Sequence, residues 1–136
     1  MFLLDTNVLS ELRRRDRTDP KVAAWADDIH PSDLFLSAIT ILEIEAGTLM
    51  LQRRDEAQGA VLRAWIDSKV LPVFEGRILS IDTAVAQRCA RLHVPDPRAE
   101  RDALIAATAL VHRLTVVTRN VADFRPMGVG LLNPWE

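Results

Sequence analysis

A single cysteine, Cys89, is all that this chain offers to redox chemistry or a soft metal. It excludes an intramolecular disulfide and a cysteine-built zinc site, and it suits a reducing compartment. Lysine is nearly as scarce, because 15 of the 17 basic residues are Arg. No apolar stretch can span a bilayer, since Glu43, Glu45 and Arg113 interrupt the longest ones. The apolar opening Met1-Phe2-Leu3-Leu4 meets Asp5 without the basic flank or longer apolar run of a secretory signal. Repeats, low-complexity tracts and linkers are also missing. These absences leave an expectation of one soluble domain over residues 1–136, cytoplasmic and without a membrane partner.

Hydrophobic residues make up 49% of the chain and charged ones 26%, which suits a globular domain with a substantial core. The formal net charge of −2 argues at first against a nucleic-acid partner, because phosphate contacts come from basic surfaces. The dominance of Arg argues the other way, since the guanidinium fork matches phosphate oxygens. Arg13-Arg14-Arg15, Arg53-Arg54 and Arg98 with Arg101 form local clusters. Each cluster alone reads more simply as a solvated surface, so composition leaves the partner open.

Strands and helices alternate along the chain. Phe2-Leu3-Leu4 reads as a buried strand that ends at Asp5, with helices over Thr6–Arg14 and Pro20–Asp28. Leu34-Phe35-Leu36 is a second strand, stopped at Ser37. Ala38 to Arg53 is a helix so apolar that it must be buried or covered by a partner chain. An amphipathic helix over Ala57–Lys69 carries Trp65. Short strands are expected at Pro72–Phe74 and Arg77–Ile81, around Gly76. Asp82 is a good N-cap for a helix through Leu92. Pro95 and Pro97 mark a loop before a helix over Ala99–Arg113, and Thr115–Thr118 forms a β-branched strand. This order implies an α/β fold, a central parallel sheet with ligands bound beyond the carboxyl ends of its strands. Asp5 and Thr118 stand at two such ends.

Four carboxylates stand out by position. Asp5 closes the first strand, and Asp123 follows the strand that ends at Thr118. Glu43 and Asp102 each interrupt an apolar helical face. Such a group is costly to bury unless an Arg, hydrogen bonds or a metal ion compensates it. Glu45 also has apolar neighbours, and periodicity cannot choose between it and Glu43. Several convergent carboxylates make a hard-oxygen donor set, which selects Mg²⁺ or Mn²⁺. His30, His93 and His112 are scattered and suggest no competing site.

Four segments carry a resemblance. Leu3-Leu4-Asp5-Thr6-Asn7-Val8-Leu9 resembles the first motif of VapC-type PIN domains. Ser37 to Gly47, through Glu43, resembles the second, and this favours Glu43 over Glu45. Asp102 to Ala109 is similar to the third, and Leu114 to Asn120, continuing to Asp123-Phe124, is similar to the fourth. The ending Asn133-Pro134-Trp135 resembles the FitB-like branch. The motifs lie in the family's order across nearly the whole chain.

The resemblance implies a PIN fold, a homodimer and Mg²⁺- or Mn²⁺-dependent cleavage of RNA. It also implies service as the toxin of a toxin–antitoxin pair, neutralised by a DNA-binding antitoxin, so that DNA is met only through that partner. Asp5, Glu43, Asp102 and Asp123 are then the catalytic and metal-binding acids. Thr6 and Thr118 supply hydroxyls to them, Asn7 bonds nearby or caps the following helix, and Arg119 contacts phosphate. A rival reading is a catalytically weak PIN-like module whose acidic pocket mainly captures an Arg of a protein partner and serves transcriptional autoregulation. A phosphatase of the haloacid dehalogenase type would need a second Asp where Asn7 stands.

Overall fold

Strand β1 (Phe2–Leu4) lies at the centre of the sheet in the computed structural model, which describes residues 1–136. It pairs with β2 (Leu34–Ser37) on one side and β4 (Thr115–Val117) on the other, and β3 (Ile78–Leu79) and β5 (Leu131–Leu132) form the edges. All pairings are parallel, in the order β3-β2-β1-β4-β5. The α/β expectation therefore holds. Chain progression reverses direction between β1 and β4. In open parallel sheets a ligand crevice forms at such a switch, outside the carboxyl ends of the strands.

The strands are apolar without strict alternation because both faces are covered. Leu3 and Val116 turn to one face, packing with Val85 and Cys89 of α5 (Thr83–Leu92) and with Ile105 and Ala106 of α6 (Glu100–His112). Leu4, Leu36 and Val117 turn to the other, against Val8 and Leu9 of α1 (Thr6–Leu12) and Ile44 of α3 (Ala38–Arg54). Two further helices, α2 (Pro20–Asp27) and α4 (Glu56–Trp65), and a single turn, α7 (Val121–Phe124), complete the layers. No helix is long and apolar enough to cross a membrane.

Local chemistry fixes the junctions. Ser37 ends β2 and caps α3, its hydroxyl accepting the Ile39 N–H at 3.0 Å. Asp55 closes α3 and caps α4, accepting the Gln58 N–H at 3.1 Å. The two helices then approach so closely that a Cβ on Gly59 would meet the Gln52 backbone at 2.6 Å.

Three expectations need correction. Residues Pro72–Phe74 form a turn rather than a strand: Pro72 has no N–H for a ladder, and the Phe74 N–H returns to the Val70 carbonyl at 3.0 Å. The helix carrying Trp65 stops there as an α-helix and widens into a π-helical turn over Ile66–Val70. Only Ile78–Leu79 of the expected strand over Arg77–Ile81 pairs with β2. Strand β5 was not anticipated.

Candidate functional site

Parallel register sets the site's first element. Leu4 lies opposite Val117, so the next residues, Asp5 and Thr118, leave the sheet side by side. The Asp5 N–H still donates to the Val117 carbonyl at 2.9 Å. Asp5 also caps α1, with Oδ1 accepting the Thr6 N–H at 2.8 Å. Its Oδ2 accepts the Thr118 hydroxyl at 2.8 Å and the Asn7 amide at 3.3 Å. Asn7 is thus inside α1 rather than its cap, and its Oδ1 accepts the Arg119 N–H at 3.3 Å. The Asn120 N–H donates to the Thr118 hydroxyl at 3.0 Å, so that oxygen both gives and receives.

Asp5 is buried, and its pKa is raised above the ordinary carboxylate value. Burial is the main cause, with repulsion from Glu43 adding to it, and the bonds from Thr118, the Thr6 N–H and Asn7 offset part of the rise.

Helix α3 brings in Glu43. Its Oε1 accepts the Thr6 hydroxyl at 2.7 Å, and Thr40, one turn earlier on the same face, places its own hydroxyl oxygen 3.3 Å from that of Thr6. Arg101 approaches Glu43 Oε2 at 3.8 Å, but it is exposed and its compensation is weak. Glu45 belongs elsewhere. It forms a forked pair with Arg63 of α4, at 2.5 and 3.2 Å, and that guanidinium holds its pKa low. The structure therefore separates two glutamates that periodicity could not.

The first turn of α6 contributes Asp102, and α7 contributes Asp123. Both line a cavity of about 340 Å³ with Arg98 and Met127. The Asp102 pKa is raised, first by burial and then by repulsion from Asp5, Asp123 and Glu43, with no hydrogen bond in compensation. A second cavity, about 250 Å³, opens along α3 beside Glu43 and Thr6, with Arg13, Arg54 and Trp65 on its walls.

All four proposed acids thus act on Asp102 through space or are Asp102 itself. They do not close into a finished cage, because no three Asp, Glu, His or Cys side chains are near enough to hold a metal ion as they stand. The donor chemistry nevertheless fits a hard cation: oxygen ligands only, and in Asp102 a repelled carboxylate without a hydrogen bond. Sequence reasoning missed Thr40, although its place three residues before Glu43 was a usable signal. It quoted Trp135 only within the ending that resembles the FitB-like branch and gave it no role, whereas its ring lies under the Arg119 guanidinium at 5.0 Å.

Comparison with known proteins gives consistent findings. The PIN-domain profile matches residues 2–127. The chain is 39% identical to Toxin FitB of Neisseria gonorrhoeae, over 100% of this chain and 99% of that protein. It is 33% identical to a VapC ribonuclease of Sinorhizobium fredii, again over 100% and 99%. Among solved structures, FitAcB from Neisseria gonorrhoeae superposes with a TM-score of 0.90 at 38% identity, covering 100% of this chain and 99% of that one. FitAB bound to an IR36 DNA fragment gives 0.89 at 38% identity, covering 100% and 96%.

Proposed function

The chain belongs to the PIN-domain family, and from that premise we propose that it is a metal-dependent endoribonuclease acting as the toxin of a toxin–antitoxin pair. The observation that carries this reading is the carboxylate grouping at the β1/β4 switch, centred on buried Asp5 and on Asp102. Asp5, Glu43, Asp102 and Asp123 would hold Mg²⁺ or Mn²⁺. When bound, such a cation supplies an acidified water as nucleophile and Lewis-acid stabilisation at the phosphoryl centre.

The chain's own residues do the rest. Thr118 and Asn7 fix the Asp5 carboxylate, and Thr6, backed by Thr40, fixes Glu43. Their hydrogen bonds keep both groups oriented before substrate arrives, which limits reorganisation during the reaction. One cavity opens beside Glu43, where Arg13 and Arg54 supply cations on its walls, and another beside Asp102, where Arg98 does so. Hydrolysis adds water across one P–O bond, leaving a phosphate monoester on one fragment and a hydroxyl on the other. The site of action is the cytoplasm.

Purified protein, freed of any partner, should cleave single-stranded RNA in Mg²⁺ and stop when EDTA is added. RNA left intact under both conditions would favour the second reading, a module that mainly captures an Arg of its partner. The Asp102–Asp123 cavity, with its uncompensated carboxylate, is the observation that keeps this reading alive.

The partners follow from the same premise: a DNA-binding antitoxin, with DNA reached only through it, and a second copy of this chain. Leu42, Leu49 and Met50 on α3 and Val61 on α4 remain exposed, at 49, 56, 69 and 55%. A second copy covering this apolar strip is a common solution. Light scattering should give twice the 15.2 kDa chain mass, whereas a monomer at micromolar concentration would rule the dimer out.

A further inference from the structure

An RNA strand that approaches several carboxylates needs fixed positive charge at the rim of the site. Arg101 faces Glu43, whereas Arg119 takes part in no ion pair with any Asp or Glu. Arg119 follows Thr118 at the carboxyl end of β4, and its N–H is bonded to Asn7, whose amide is bonded to Asp5. It therefore borders the site directly. Its guanidinium carbon sits 5.0 Å from the centroid of the Trp135 ring. Such a cation–π contact holds a guanidinium through its charge and uses none of its N–H donors in a hydrogen bond, so they remain available to phosphate oxygens.

Trp135 is itself well anchored. Its N–H donates to Asn133 Oδ1 at 3.0 Å, and its half-buried ring packs against the core that contains Leu4, Val8 and Val117. Asn133 directly follows β5, which runs in register with β4. The platform under Arg119 is thus tied to the strand that carries Thr118.

We propose that Trp135 is a positioning residue that completes a phosphate-holding subsite for the RNA strand, by holding in place the guanidinium of Arg119, the phosphate contact that the motif resemblance implies. The inference rests on the nuclease reading but is tested apart from it. RNA binding is measured by fluorescence anisotropy with a labelled single-stranded RNA, in an Asp5→Asn background so that the RNA stays intact. Cleavage is measured in the otherwise wild-type protein.

Arg119→Ala should weaken binding about tenfold, the loss of one charge-assisted contact. It should also lower the slope of log affinity against log salt by about 0.7, the value for one phosphate contact on a single strand. Trp135→Ala keeps the charge but frees it, and should weaken binding about threefold. Trp135→Phe should restore most of that loss, and Trp135→Ala should add little when Arg119 is already Ala. In cleavage, both effects should fall on KM, with kcat within about twofold.

Unchanged binding in Arg119→Ala would overturn the subsite. So would an undiminished effect of Trp135→Ala in the Arg119→Ala background, or a kcat loss in Trp135→Phe at an unchanged melting temperature. A wild-type protein that binds RNA but cuts none would count against the nuclease reading alone, leaving the binding comparison to decide the subsite.

Discussion

Asp5→Asn should yield a folded protein that cleaves RNA about 10³-fold more slowly than wild type in Mg²⁺, equivalent to about 4 kcal/mol of lost transition-state stabilisation. The side chains are nearly isosteric, and the Asn oxygen can still accept the Thr6 N–H. What disappears is the charge, together with one oxygen that accepts from both Thr118 and Asn7. Losing an ionised group whose burial already raises its pKa costs the fold little, so the melting temperature should move by no more than about 3 °C. Glu45→Gln is the matched control. Its carboxylate faces Arg63, so cleavage should stay within about twofold of wild type. If Asp5→Asn cut RNA at the wild-type rate, the site would have to be sought elsewhere.

Asp102→Asn should separate metal binding from folding. The carboxyls of Asp5 and Asp102 hold their protons to higher pH in the folded chain than their ordinary value of 3.8. Above that value the unfolded chain releases protons that the folded one retains. Stability of the metal-free protein therefore falls as pH rises from about 3.8 through the raised pKa values, and stays lower at neutral pH. Removing the Asp102 charge removes part of that loss. Because Asp102 is only partly buried and water screens it, the gain at pH 7 should be small, about 2 °C in melting temperature, and should vanish near pH 3. Metal addition reverses the ranking. At a hundred times its Kd, Mg²⁺ should raise the wild-type melting temperature by about 8 °C and that of Asp102→Asn by less than half as much. Equal rises in scanning calorimetry would take Asp102 out of the ligand set.

Much of this arrangement was legible before any coordinates. Phe2-Leu3-Leu4 and Thr115-Val116-Val117 are short apolar runs that end in a carboxylate or hydroxyl, and both became central strands. Asp102 was visible because it interrupts an apolar helical face that carries Ala99, Ile105 and Ala106. Glu43 and Glu45 were not separable by the same logic, since both are partly exposed on α3, at 27% and 30% of the side chain. What distinguishes them is what they meet, Thr6 from α1 and Arg63 from α4. Only the order of family motifs supplied that distinction in advance. Strand β5 escaped notice because two leucines are too few to show a period. Trp135 was legible only as part of a family-like ending, because its contact with Arg119 exists only after the sheet has formed. The turn over Pro72–Phe74 shows the opposite failure: an apolar run was read as a strand although its proline could not join a ladder.

The bond between the Thr118 hydroxyl and Asp5 joins residues 113 positions apart. During synthesis the amino-terminal segment leaves the ribosome first, and pairing across such a separation must wait for the distant strand. A nascent chain ending within α6 already carries Asp5, Glu43 and Asp102 but lacks β4, the hydroxyl that steadies Asp5 and the arginine beside it. The proposed nuclease site is therefore assembled only after β4 has been made. Under the toxin role proposed above, this long-range closure delays arming until β4 has been made.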